Sequence, residues 1–195
     1  MTQWIHYETP DTRGQIVTAF GALHAQTVVL WQRFSDDEFF KRPADGGWSP
    51  AQNVEHLIKA TSPVTRALTM PRFVLRLLFG RARVPSRTFF EVRAAYRDVL
   101  AEGAQAGSYG PRSSASIDDA GRTRQRLLHR WQLVLPQLTE AIGRWDEASL
   151  DYYRLPHPLL GKLTVREMLY FSLYHVGHHA EIVAARQADS APGDA

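Results

Sequence analysis

The sequence predicts an all-α protein in which four long helices pack as a bundle. Three observations carry that prediction. Four long segments place apolar residues at i, i+3 and i+4, the spacing of one helix face. No segment alternates convincingly as a strand does. Finally, 195 residues without a cysteine must be held by a packed core, and a chain of that length can bury one.

The first helix is expected from about Asp11 to Phe34, where Ile16, Phe20, Leu23, Leu30, Trp31 and Phe34 form the stripe. The turn-rich link "KRPADGG" follows. The second helix starts at "WSPAQ", with Ser49 as N-cap, Pro50 at N1 and Gln52 completing a capping box. It should reach about Thr69, unless Pro63 kinks it or ends it early. Residues 71 to 102 read as shorter helical pieces, one opened by the capping pair Thr88 and Glu91. The stretch "GAQAGSYGPRSSASIDDAG", 103 to 121, is too long for a turn and reads as a mobile lid or a disordered loop between the second and third long helices. The third long helix is expected from about Asp119 to Trp145. The fourth starts at the capping pair Thr164 and Glu167 and runs to about Arg186. One domain over residues 1–187, with a disordered tail over 188–195, is the organisation these signals give.

Composition excludes several functions. Without cysteine there is no thiolate nucleophile and no Cys-type zinc site. The most apolar window, "MPRFVLRLLFG", is broken by two arginines and is too short to span a bilayer. The N-terminus lacks the apolar run of a signal peptide, so a cytoplasmic protein with no membrane partner is expected. The net charge is only +3, and its mostly arginine cations are scattered among acids, which argues against a nucleic-acid partner. The arginine-rich, aromatic stretch 70 to 97 reads better as a homodimer or partner surface.

Of eight histidines, three fall in "YHVGHHAEIV" near the end of the chain. At 100° per residue, Met168, Ser172, His175, His179, Ile182 and Arg186 lie within about 40° of one line. Valines 165, 176 and 183 flank that line, so His175 and His179 belong to the buried face and His178 lies to one side. Two imidazoles one turn apart can reach a single ion, or can be core groups satisfied by carbonyls and water. From spacing alone the two readings are equal. A third ligand would come from another helix, and His56, beside Asn53 and Ala60, is the strongest candidate. Its position off the apolar face is also compatible with plain solvent exposure. His24 reads as core-edge and His129 as surface, while His6 and His157 lie in an arm and a loop without visible partners.

The segments "GGWSPAQNVEHLIKA" and "HPLLGKLTVREMLYFSLYHVGHHAEIV" resemble the DinB-like (YfiT-like) superfamily of metal-dependent hydrolases and thiol S-transferases. The shared pattern is a Trp-Ser helix start with a histidine soon after, then a glycine loop leading to a last helix with a spaced histidine set. The order and spacing cover almost the whole chain. The resemblance implies a four-helix bundle of up-down-down-up topology. It also implies a divalent metal on three histidines, here His56, His175 and His179, with open coordination positions. The arginine-glycine-glutamine that follows the last histidine in some members is replaced by Ala180, Glu181 and Ile182.

Three neutral imidazoles form the donor set of an open, catalytic metal rather than a closed structural one. Zinc or nickel suits that set best, with iron or manganese as alternatives. Such an ion ionises a bound water or thiol near neutral pH. Superfamily members imply a thiol-dependent S-transferase acting on a small-molecule electrophile with a low-molecular-weight thiol as cosubstrate. A metal-water hydrolase is the alternative, but Glu55 and Glu181 point away from the histidines. A non-enzymatic stress-response bundle with a structural metal is a further alternative. Asn53 and Ser172, each one turn before a histidine, and Arg186 on the histidine line are candidates to orient ligands or substrate.

Overall fold

The structure, a computed structural model, describes residues 5–111 and 119–190. Its four long helices are α1 (Arg13–Gln32), α3 (Pro50–Thr69), α6 (Ala120–Gly143) and α8 (Val165–Ser190). Between them lie α2 (Asp36–Phe40), α4 (Arg72–Phe79), α5 (Phe89–Ala101), a 3-10 turn at Gly107–Tyr109 and α7 (Glu147–Tyr152).

Side-chain bonds at the helix ends fix the topology. The Arg13 guanidinium at the start of α1 donates to the carbonyls of Gly143 and Trp145 beyond α6, and Arg124 at the start of α6 reaches Gln32 at the end of α1. These two helices are therefore antiparallel. The Trp145 indole donates to the Leu68 carbonyl at 3.0 Å, which puts the ends of α6 and α3 together. Arg166 at the start of α8 donates to the Asp11 carbonyl, just before α1. Further along α8, His179 meets Asn53 at the start of α3, and Arg186 pairs with Asp45 just before it. The order is up, down, down, up, as the resemblance implied. Ile16, Phe20, Trp31, Leu57, Trp131, Leu135, Leu138 and Ile142 are wholly or almost wholly buried where these helices meet.

Capping chemistry starts the helices where the sequence indicates. The reciprocal bonds of a capping box are present at Ser49–Gln52 and Thr88–Glu91, and also at Thr164–Glu167. Two further boxes, Thr12–Gln15 and Ser35–Glu38, set α1 one to two residues later than expected and create the unexpected α2. Pro63 does not end α3, which runs on to Thr69. The helix α8 continues to Ser190, so the first residues of the expected tail are helical; residues 191–195 and the centre of the expected loop, 112–118, lie outside the described residues.

The sequence suggested no strand, yet Arg154–His157 (β1) and Gly161–Thr164 (β2) form an antiparallel hairpin with His157 opposite Gly161. Gly161 has φ 72°, a left-handed conformation that glycine adopts without a Cβ clash. The hairpin packs against α4 and α8, and an isolated bridge pairs Arg81, just beyond α4, with Tyr153, just before β1. In the 70–97 stretch, Phe73, Leu77, Leu78, Val84 and Phe90 are exposed. Among the described residues, no helix is long and apolar enough to cross a membrane.

Candidate metal centre

His56 on the first half of α3 and His175 and His179 in the middle of α8 meet where these antiparallel helices face each other. One nitrogen from each ring lies within 4.8 Å of the other two. His56 is only 3 % exposed and His175 4 % exposed, while His179 is half-buried. The off-face position of His56 is thus inward, towards α8, and not towards solvent.

The proton on two of the three rings is placed by what stands behind them. His56 Nδ1 lies 2.8 Å from the Tyr109 carbonyl, an acceptor, so Nδ1 carries the hydrogen and Nε2 keeps its lone pair. His179 Nδ1 lies 2.8 Å from Asn53 Oδ1. That amide is itself oriented, because Asn53 Nδ2 donates to the carbonyls of Trp48 and Ser49 at 3.2 and 2.9 Å. His179 Nδ1 therefore also donates, leaving Nε2 as the ligand atom. His56 Nε2 and His175 Nε2 face each other at 3.0 Å. Metal-binding histidines are typically held by a hydrogen bond behind the ring in this way.

Burial holds all three rings in the neutral form. His175 and His179 lie well below the ordinary imidazole value, first through loss of water and then through the neighbouring histidines. His56 is lowered by burial, partly offset by its bond to Tyr109. Neutral imidazoles are the protonation state a metal requires. Among the described residues no Asp or Glu joins the cluster. Glu55 pairs with Lys59 at 2.8 Å, and Glu181 accepts from the Ile5 amide at 3.0 Å.

Donor set, tautomers and burial thus fit a divalent cation, and the three histidines are the residues that would hold it. Trp48 supplies a wall, its ring stacked on His179 at 5.7 Å and tilted against His56 at 4.8 Å. On the other side Phe171 stacks on His175 at 5.0 Å. The cluster opens into a cavity of about 830 Å³ bounded by α3, α5, the hairpin, α8 and the 104–111 segment.

The other candidates fall in different places. Asn53 stands directly behind His179. Ser172 donates to the Met168 carbonyl of its own helix at 2.8 Å. Arg186 forms an ion pair with Asp45 at 2.7 Å, its guanidinium lying so close over Gly47 that a Cβ there would stand 2.5 Å from Nη2. His24 is half-buried, and His129 and His6 are exposed. Sequence reasoning missed His157, which is 8 % exposed and lines the cavity. It also missed Trp48, Tyr96 and the Tyr109 carbonyl. Only Trp48 and His157 carried a signal: the first lies in the motif that marks the start of α3, and the second alternates with Leu155 as a strand residue would.

The profile of the DinB superfamily matches residues 19–183, and the chain belongs to that superfamily. No curated protein matches the chain.

Proposed function

We propose that the protein is a thiol-dependent S-transferase-type enzyme, with a divalent metal, zinc or nickel foremost, on His56, His175 and His179. The observation that carries this reading is a cluster of three neutral imidazoles, two buried and one half-buried, at the wall of a large cavity, with no carboxylate among its described members. When bound, the ion would supply a dipositive charge that lowers the pKa of a small thiol.

The chain's own residues set the conditions for that chemistry. Tyr109 and Asn53 hold two imidazoles with their Nε2 lone pairs turned towards the centre of the cluster. Trp48 and Phe171 cover the outer ring faces and exclude water, which strengthens electrostatic interactions at the site. The thiol loses its proton to solvent, its sulfur forms a bond to an electrophilic carbon, and the leaving group departs with the bonding pair. Hydrolysis would need a base beside the attacking water, and the two nearest candidates from sequence, Glu55 and Glu181, are engaged with Lys59 and the Ile5 amide. That favours a thiol over water as the nucleophile.

The test is thiol consumption by zinc- or nickel-loaded protein with an aryl chloride reporter and a panel of low-molecular-weight thiols. Turnover with at least one thiol, abolished in His175→Ala, is expected. Ester hydrolysis without thiol, lost in the same variant, would replace this reading with the hydrolase.

A further inference from the structure

The cavity is much longer than the metal centre. Ala60, Val64, Ala67 and Met70 follow His56 at i+4, i+8, i+11 and i+14, and all of them line it. Fourteen residues of helix span about 21 Å. The wall is therefore polar at the histidine end and apolar over most of its length, reaching Phe79 at the end of α4.

Arg66 and Gln105 also line the cavity, and two further polar side chains, His157 and Tyr96, pack on the Phe171 ring beside the histidines. The His157 ring packs 4.2 Å from Phe171, which in turn stacks on His175. His157 Nδ1 accepts from the amides of Leu159 and Leu160 at 3.2 and 3.0 Å, so the ring hydrogen sits on Nε2. Among the described residues, no acceptor meets that Nε2–H. Tyr96, whose ring centroid is 6.4 Å from His157, also lines the cavity, and its hydroxyl has no hydrogen-bond partner among the described residues. A hairpin turn that fixes one tautomer of a buried histidine beside an apolar channel makes a directed donor. Both groups face the cavity, and a ligand that supplies an acceptor there replaces water and gains a hydrogen bond.

We propose that the cavity binds an elongated, largely apolar small molecule with a carbonyl-type oxygen near its head. The oxygen accepts from His157 Nε2–H, the head lies at the three histidines, and the tail runs along α3 to Met70 and Phe79. The position of the reacting end rests on the S-transferase reading; the tail channel and the His157 donor do not.

Calorimetric titration of chelator-treated protein with methyl ketones of increasing chain length tests this. Affinity should rise about fourfold per methylene until the channel is filled, and then level off. Ala67→Phe, or Ala67→Leu should the larger residue disturb folding, should bring the plateau to shorter chains while zinc binding is unchanged. His157→Phe should weaken every ketone by about tenfold without weakening a hydrocarbon of equal length, and His157→Gln, which keeps a donor, should recover part of the loss. Affinity that ignores chain length, or ketone binding equal in wild type and His157→Phe, overturns the proposal. Chain-length dependence in a protein that binds no zinc would overturn the S-transferase reading and leave this one standing.

Discussion

The helix α8 carries one polar cluster at its start and another at its middle, and the two are built on opposite principles. At its start, the Arg166 side chain is 9 % exposed and donates to Asp151 Oδ1 at 2.7 Å, Glu147 Oε1 at 2.7 Å and the Asp11 carbonyl at 2.9 Å. Beside it Glu167 accepts from the Arg87 amide and guanidinium, both at 2.9 Å. Donors meet acceptors and plus meets minus, so this cluster is complete. At the middle of the helix, two of the three imidazoles direct their hydrogens outward, to Tyr109 and Asn53, and the Nε2 atoms of His56 and His175 face each other at 3.0 Å. A cluster that closes on itself anchors the fold; one that turns ring nitrogens towards a common point is suited to hold a cation.

The largest effect should come from breaking the closed cluster. Arg166→Met leaves the Asp151 and Glu147 carboxylates without their partner, a loss of about 3–5 kcal/mol for a buried pair, reduced to the extent that these acids reach water. Chemical denaturation should show that loss, while the folded fraction keeps its metal stoichiometry. Loss of metal at unchanged stability would contradict the division of roles.

His157 lies between the two cases, a buried histidine with one nitrogen satisfied. Burial pushes its pKa from 6.5 down to about 4. The folded value is below the unfolded one, so protonation favours the unfolded chain. Its contribution is whole above pH 6.5 and is lost as the pH falls from 6.5 towards 4. Comparing metal-free wild type with His157→Phe, the variant should lose less stability across that window, by up to about 3 kcal/mol. Parallel curves would show that the ring titrates normally.

A smaller effect sharpens the open cluster. Asn53→Ala removes the acceptor behind His179 and should weaken metal binding about 10- to 100-fold, read by competition with a chelating dye. Circular dichroism should be unchanged, because the ligands remain.

Much of this was legible in the sequence for a physical reason. Long amphipathic helices repeat their signal many times, so α1, α3, α6 and α8 were all visible, as were the caps at Ser49, Thr88 and Thr164. The helical relation of His175 to His179 is local and survives any small error in helix ends. What was missed depends on few residues or on none. The five residues of α2 are too few for periodicity. The four-residue β1 holds Pro156, which disguises its alternation and left His157 looking like part of a loop. The Tyr109 acceptor is a main-chain atom with no sequence signature, and its meeting with His56 spans 53 positions. His56 could be read as exposed because its own helix does not reveal what α8 brings against it.

The most direct test is metal analysis of protein purified without a histidine tag, wild type beside His175→Ala. One tightly bound equivalent of a divalent metal per chain, absent from the folded variant, is the predicted result. A metal-free wild type that also shows no thermal shift with added zinc, nickel or manganese would contradict it. The three histidines would then be core groups, and their gathering at one point would require another explanation.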